Sequence, residues 1–411
     1  MNCERPSNAI IICTAIVIAL GIFLRIYPSA GSMGRGFDEN LYCRYVRALE
    51  VTGLGNYAKL SKGYIDAQSE LPSAILPPTR FFYIYCGYLW HALSGTHTNN
   101  AAEDEERAID ALHHVSTTFT ILTLLLSTVF AARLAGPKVM LGVAALMACA
   151  PTQIHMSQHA LIDGVFAFWA LLAVWLLWEN LQAPNHAGWL TAYGVSLIGL
   201  VLTKENAAFA TAALLAVIIA NRWLKFGRVT IRLLLATFAA PAIGLLILFA
   251  LAGGPLQFVQ IYQLLVAKAY TLDYAIKFCD GPWYRYLVDL LLVSPLVFLL
   301  AIGELFQLNR EKKTAIYLVT FVAASYLLMS NVKYSLNLRY ANMWDMPLRF
   351  LAFSQLATLC APLRRYKMQV LVGLVVLLCL FELNQYRIFF INYKLYELVS
   401  EGLLRAVKIV K

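Results

Sequence analysis

The stretch GRGFDENLYCRYVRALE, Gly34 to Glu50, follows directly on the first long apolar run and carries two adjacent carboxylates, Asp38 and Glu39, near its head. Its apolar positions Leu41, Tyr45, Ala48 and Leu49 recur at helical spacing, while Arg44, Arg47 and Glu50 fall on the other side. That pattern predicts a helix lying along a membrane surface. If the preceding run crosses the bilayer, the Asp38-Glu39 pair sits at its far face. An Asp at the start of a helix ordinarily caps it by accepting a backbone N–H. The rest of the chain gives Asp38 a second reading, because it returns charged and aromatic residues to the same face.

The chain of 411 residues is 60% hydrophobic and only 14% charged, with a mean hydropathy of +0.65. Soluble chains average about half apolar and a quarter charged, so this composition describes an all-α polytopic membrane protein. The first run, Ala9 to about Tyr27, lacks a strongly basic leader and a small-residue cleavage site, and is read as a retained helix. The net charge of +10 is explained by loop orientation; no nucleic-acid partner is called for. The eight cysteines show no CxxC or Cys/His metal spacing. Cys13, Cys149, Cys360 and Cys379 lie in apolar runs as small core residues, and a disulfide among Cys43, Cys86 and Cys279 is the less favoured alternative to free thiols.

A spanning helix needs about 20 mostly apolar residues, which divides the chain into about eleven spans. They fall near 9–27, 109–133, 138–154, 163–181, 188–203, 206–223, 232–252, 286–307, 314–330, 340–361 and 368–383. Basic residues cluster at alternate connections: Arg133 with Lys138; Arg222, Lys225, Arg228 and Arg232; Arg310, Lys312 and Lys313; Arg364, Arg365 and Lys367. The positive-inside rule makes those connections cytoplasmic. The others face outward: the long loop from Pro28 to about Ala108, Gln158 to Asp163, Lys204-Glu205, Gly253 to Tyr286, and Asn331 to Arg339. The acidic run Glu103 to Glu106 lies on this outer side as a solvated loop. A connection of about 80 residues carries structure of its own. After the Asp38 helix come the turn Thr52-Gly53-Leu54-Gly55, a polar stretch to Glu70, and Leu76-Pro77-Pro78, after which a helix can start. The aromatic segment from Arg80 to Leu93 suits the interfacial belt. An extra span there would reverse the parity and put Arg133 and Lys138 outside.

Charged residues at the mouth of a membrane bundle point to function. Asp163, in SQHALIDG, precedes an apolar helix that it would cap from Gly164. Lys204-Glu205 interrupts a long apolar segment, either as an internal ion pair or with the lysine snorkelling. Lys333, Arg339 and Tyr340 stand on the same outer face, where Arg339 has the plainer alternative of neutralising Asp345 or lipid headgroups. Asp345 and Arg349, four apart, read as a structural salt bridge. His155 and His159 share a helix face without a third ligand, so no metal site is assigned, and a divalent cation is left open. Carboxylates and cations around one outer cavity suit a reaction on a lipid-linked phosphate: a carboxylate takes a proton from an acceptor hydroxyl, and cations stabilise the charge on the leaving phosphate. There is no P-loop, Rossmann glycine signature or nucleophile elbow.

Phe37-Asp38-Glu39-Asn40-Leu41-Tyr42, Leu76-Pro77-Pro78 with the aromatics after it, Ala131-Ala132-Arg133-Leu134-Ala135-Gly136, His159 to Asp163, Leu202-Thr203-Lys204, and Pro282-Trp283-Tyr284 with Arg339-Tyr340 stand in an order that resembles the polyprenyl-phosphate-dependent glycosyltransferases of the GT-C fold. That class includes protein O-mannosyltransferases and aminoarabinose transferases. The resemblance implies a conserved membrane module, 1–252, with juxtamembrane helices in its long outer loop, and a more variable half, 253–411. It implies inverting transfer of a sugar from a polyprenyl-phosphate donor to a glycan, lipid or protein acceptor, by an enzyme of the bacterial inner membrane facing the periplasm or exterior. Asp38 is then the general base, with Glu39 positioning the acceptor or nearby backbone and Asp163 orienting the acceptor or a cation. Arg80, Lys204, Glu205, Lys333, Arg339 and Tyr340 are the substrate-binding candidates. One departure is Leu76, where aminoarabinose transferases carry a lysine before the double proline, so the donor phosphate falls to Arg80, Lys204, Lys333 or Arg339. A transporter or flippase is the alternative class, but it calls for matching halves, and the long outer loop has no later counterpart. An acyltransferase would need a supported histidine, and His91, His113-His114 and His155 come without partners in sequence.

Overall fold

A computed structural model describes residues 6–28, 36–68, 76–94, 100–333, 336–399 and 403–404. Gly34, Arg35 and Glu70 lie outside the described residues. Every regular element among them is helical. Helix α1 (Asn8–Ile26) is the first span, and α2 (Phe37–Thr52), α3 (Tyr57–Asp66) and α4 (Phe81–Leu93) occupy the long loop. Helix α5 (Ala101–Ala135) follows, then α6 (Pro137–Ala148) and α7 (Pro151–Ser157), α8 (Asp163–Gln182), α9 (Ala187–Thr203), α10 (Ala207–Leu224) and α11 (Ile231–Ala252). The second half holds α12 (Pro255–Ala269), α13 (Asp273–Phe278), α14 (Arg285–Val293), α15 (Pro295–Leu305), α16 (Lys313–Met329), α17 (Asp345–Cys360) and α18 (Lys367–Tyr386).

Each expected span meets helix in the structure, but not always one helix of full length. Six helical segments, one of them the chain from Leu338 to Asn392 that contains α17 and α18, are long and apolar enough to cross a membrane; α6 and α7, bent by 57°, make a seventh if they count as one. Helices α9, α15 and α16 are apolar but shorter. The breaks have local causes. Pro151 opens α7 and Pro295 opens α15, each as the first residue of a new helix, where its missing N–H costs nothing. Gly136 joins α5 to α6 at φ +85, a left-handed conformation that a side chain would strain.

The outer loop forms a helical layer. Leu41, Tyr45, Val46 and Leu49 of α2 are buried with Tyr83 and Ile84 of α4 and Ile109, Leu112 and Val115 of α5. Arg44 is exposed, as the periodicity of α2 requires. Helix α4 has 13 residues, about 20 Å at the α-helical rise, too short to span and consistent with the interfacial reading. The acidic run departs from expectation. It is helical, not a loop, because α5 has 35 residues, about 52 Å, and stands proud of a hydrocarbon core of about 30 Å. The seven cysteines among the described residues form no disulfide with one another, so the Cys43, Cys86 and Cys279 disulfide is absent there.

The spans pack around a second core, with α8 against α5 and α9, α9 against α11, α10 against α16 and α15 against α17. Inside it Arg349 binds Asp345 at 2.8 Å and Glu382 at 2.7 Å, and Gln153 donates to Asp345 at 2.7 Å. The expected Asp345–Arg349 bridge is therefore one edge of a network joining α7, α17 and α18.

Candidate active site

The first residues of helix α2 set the site. Gly36 is the N-cap, so Asp38 falls inside the helix and is not its cap. Glu39 does that work: it accepts from the N–H of Gly36 at 2.5 Å and from the N–H of Ala160 at 2.6 Å, and His159 Nδ1 lies 3.6 Å away. Burial pushes the Glu39 carboxyl up, but His159 first, and then the N–H groups of Gly36 and Ala160, outweigh it and hold it below its ordinary value. Glu39 thus pins α2 to the turn before α8. Asp38 is freed to face the cleft.

Asp38 meets Arg339 Nη1 at 3.4 Å, a contact between residues 301 apart in sequence. Its side chain keeps 23% of its surface exposed, against 3% for that of Arg339. Burial raises the Asp38 carboxyl above its ordinary value; Arg339 pulls it back only in part, and the negative charge of Glu397 adds to the rise. Arg339 lies in a 3₁₀ turn, Leu338–Trp344, whose first residues are ordered by the Asn337 side chain accepting from the Arg339 N–H at 3.0 Å. Arg339 also donates to the Tyr274 hydroxyl at 3.1 Å and has Glu397 at 3.4 Å. Tyr274 and Asn337 both bind Glu397 in turn.

Beside this group are two further ion pairs. Lys204 Nζ binds Asp163 Oδ1 at 2.6 Å with both side chains buried, and lies 3.9 Å from the centre of the Tyr340 ring. Arg80 grips Glu205 with two nitrogens, one at 3.1 Å, and donates to the Tyr42 hydroxyl at 2.6 Å. Burial pushes Glu205 up, and the Arg80 charge outweighs it, so its carboxyl stays below its ordinary value. Lys204 and Glu205 therefore do not pair with each other, and Asp163 serves Lys204 from the first turn of α8. Geometry decides both: consecutive residues at a helix junction point apart, towards the partners that α8 and α4 supply.

The structure gathers Asp38, Glu39, Arg80, Asp163, Lys204, Glu205, Arg339 and Tyr340 at one end of the bundle. Lys333 stands exposed in the turn after α16. Tyr42, Tyr274, Tyr396 and Glu397 were not singled out by sequence. A Cβ on Gly36 would fall 2.0 Å from the Tyr396 ring, so the segment after α18 lies directly on the start of α2. Aromatic and acidic residues in a tail give no sign of such a return. A cavity of about 410 Å³ opens beside Lys204 and Glu205, walled by Val201, Leu215, Pro241, Leu245 and Phe258. Its polar end is the ion-pair group and the rest is apolar. At the other pole of the bundle the basic connections meet, with Lys313 donating to the Lys225 carbonyl at 3.1 Å.

The sequence model of the family described as dolichyl-phosphate-mannose-protein mannosyltransferase matches residues 42–265, more than half of the chain. No curated protein sequence matches. Among solved structures, the Archaeoglobus fulgidus oligosaccharyltransferase in its apo form superposes with a TM-score of 0.61 at 14% identity, covering 92% of this chain. The chain spans about half, 55%, of that protein's length. The transferase ArnT from Cupriavidus metallidurans in its apo state gives 0.54 at 16% identity, covering 89% of this chain and 62% of that one. Its complex with undecaprenyl phosphate gives 0.52 at 14% identity, with 98% and 78% covered. The fold is GT-C.

Proposed function

The chain belongs to the dolichyl-phosphate-mannose-protein mannosyltransferase family, and from that premise we propose that it is an inverting glycosyltransferase moving a sugar from a polyprenyl phosphate to an acceptor hydroxyl at the outer face of a membrane. It is an integral membrane protein; the bacterial inner membrane, with the site facing the periplasm or exterior, is the setting proposed for it. The observation that carries the reading is the 3.4 Å contact of Asp38 with Arg339, a carboxylate and a guanidinium at one point, to which the reading gives the roles of base and phosphate grip. Asp38 takes the acceptor hydroxyl proton while that oxygen attacks the anomeric carbon. The bond from this carbon to the phosphate oxygen breaks with its electron pair, and polyprenyl phosphate leaves from the opposite face. One displacement inverts the anomeric centre.

Arg339 is the first choice for the phosphate, since a planar fork holds two oxygens at once, and Lys204 is the second. Donor binding then requires the phosphate to replace Glu397 at Arg339. The cavity beside Lys204 takes the first isoprene units. Support for a lipid-phosphate ligand comes from the structural neighbours: the A. fulgidus enzyme has been solved with a dolichol-phosphate and an inhibitory peptide, and ArnT with undecaprenyl phosphate. Purified protein is incubated with radiolabelled polyprenyl-phosphate sugars and candidate acceptors. Transfer by the wild type, reduced about 10²–10⁴-fold in Asp38→Asn with insertion and folding unchanged, is the expected result. Full activity of Asp38→Asn removes Asp38 as the base.

A further inference from the structure

We propose that the outer helical layer carries a binding site for a zinc-class divalent cation at His91 and Asp104, with Glu50 orienting the imidazole, separate from the transfer site. The three residues come from α2, α4 and α5, and one ligand atom from each lies within 4.8 Å of the others. His91 is buried, 7% exposed, in a layer otherwise closed by apolar contacts. Its Nδ1 sits 2.8 Å from Glu50 Oε1, which fixes the proton on Nδ1 and leaves the Nε2 lone pair free. Nε2 has no hydrogen-bond partner and points at Asp104 Oδ1, 3.6 Å away. That separation is long for a hydrogen bond. It is close to the roughly 3.3 Å between two ligands each about 2.0–2.1 Å from one tetrahedral ion.

The surroundings fit the same assignment. Arg47 Nε donates to Asp104 Oδ2 at 2.6 Å, which orients the carboxylate and leaves Oδ1 for the ion. A carboxylate on the remote ring nitrogen and a hydrogen bond to a ligating carboxylate are what metal sites use to fix their ligands. Imidazole with carboxylate oxygens selects zinc and its neighbours over calcium or magnesium. Glu50 lies 12 positions after Asp38 on α2, about 18 Å along the axis, so an ion there touches no reacting atom. It ties the far end of α2 to α4 and α5, and so holds the helix that presents Asp38.

The full-length protein in detergent, stripped with a chelator and desalted, is titrated with zinc alone, and retained metal is counted by elemental mass spectrometry alongside the thermal midpoint. One equivalent is expected, with a rise in the midpoint. His91→Gln and Asp104→Asn should lose retention, Glu50→Gln should weaken affinity about 10–100-fold, and His114→Gln, on the outer face of α5, should bind as wild type. Cobalt in place of zinc should give visible ligand-field bands in the wild type and in His114→Gln, and none in His91→Gln or Asp104→Asn. No retained zinc in the wild type overturns the proposal, leaving His91 as a bridge between two carboxylates. Equal retention in His91→Gln overturns it as well. Should His91→Gln fail to fold, Asp104→Asn, which keeps the side-chain shape, decides by the same count.

Discussion

Asp38 and Glu39 are adjacent carboxylates with opposite shifts, and the difference assigns their work. Asp38, raised by burial, ionises at a higher pH than an ordinary aspartate. The rate should therefore fall on the acid side as pH drops through that raised value, and Asp38→Asn should abolish the limb in a pH–kcat profile. For stability the sign is reversed: a raised acid favours the neutral form, so its contribution is full below the unfolded value and is lost as pH rises through the higher folded value. Glu39, held low, contributes stability above its unfolded value and loses it as pH falls through the folded one. Arg339→Lys should keep part of the donor affinity but lose the two-oxygen grip, whereas Arg339→Ala should raise donor KM and lower kcat together. Unchanged kinetics in Arg339→Ala, with normal expression, would return Arg339 to a structural role and pass the phosphate to Lys204.

At the scale of elements, α2 is set by the Glu39 carboxylate through its backbone hydrogen bonds. Glu39→Gln removes the charge from two backbone hydrogen bonds and should cost about 1.5–3 kcal/mol, read as a lower thermal midpoint, while the pH–rate limb of Asp38 persists in the protein that remains folded. The segment after α18 closes the site through Glu397. Glu397→Gln should weaken its hold on Arg339 and lower the KM for the donor; a higher KM would make Glu397 a donor contact in its own right. Deeper in the bundle, Arg349 links α17 to α18 through Asp345 and Glu382. Arg349→Leu leaves two buried carboxylates without their cation and should cost about 3–5 kcal/mol, measured by thermal unfolding in detergent.

The whole molecule has two poles. One collects the paired acids and cations at the start of α2, α4, α8 and α10, and the other collects the basic connections after α10 and before α16. If the basic pole is cytoplasmic, a membrane-impermeant maleimide should label Glu106→Cys on intact cells and Arg310→Cys only after permeabilisation. The reverse pattern would turn the site to the cytoplasm.

Hydropathy and the alternation of Lys and Arg are local properties, and they determined the membrane class, the approximate place of the spans and the gathering of Asp38, Arg80, Asp163, Lys204 and Arg339 towards one face. The helical period of Leu41, Tyr45 and Leu49 likewise determined which side of α2 is buried. Which charge meets which was decided only by tertiary structure. Asp38 and Arg339 are 301 residues apart, Lys204 turns from Glu205 to Asp163, Glu397 returns from the tail, and Glu50, His91 and Asp104 converge from three helices. Such pairings depend on how whole helices cross and where their ends stop, and a chain of side-chain types carries no spacing that records a crossing.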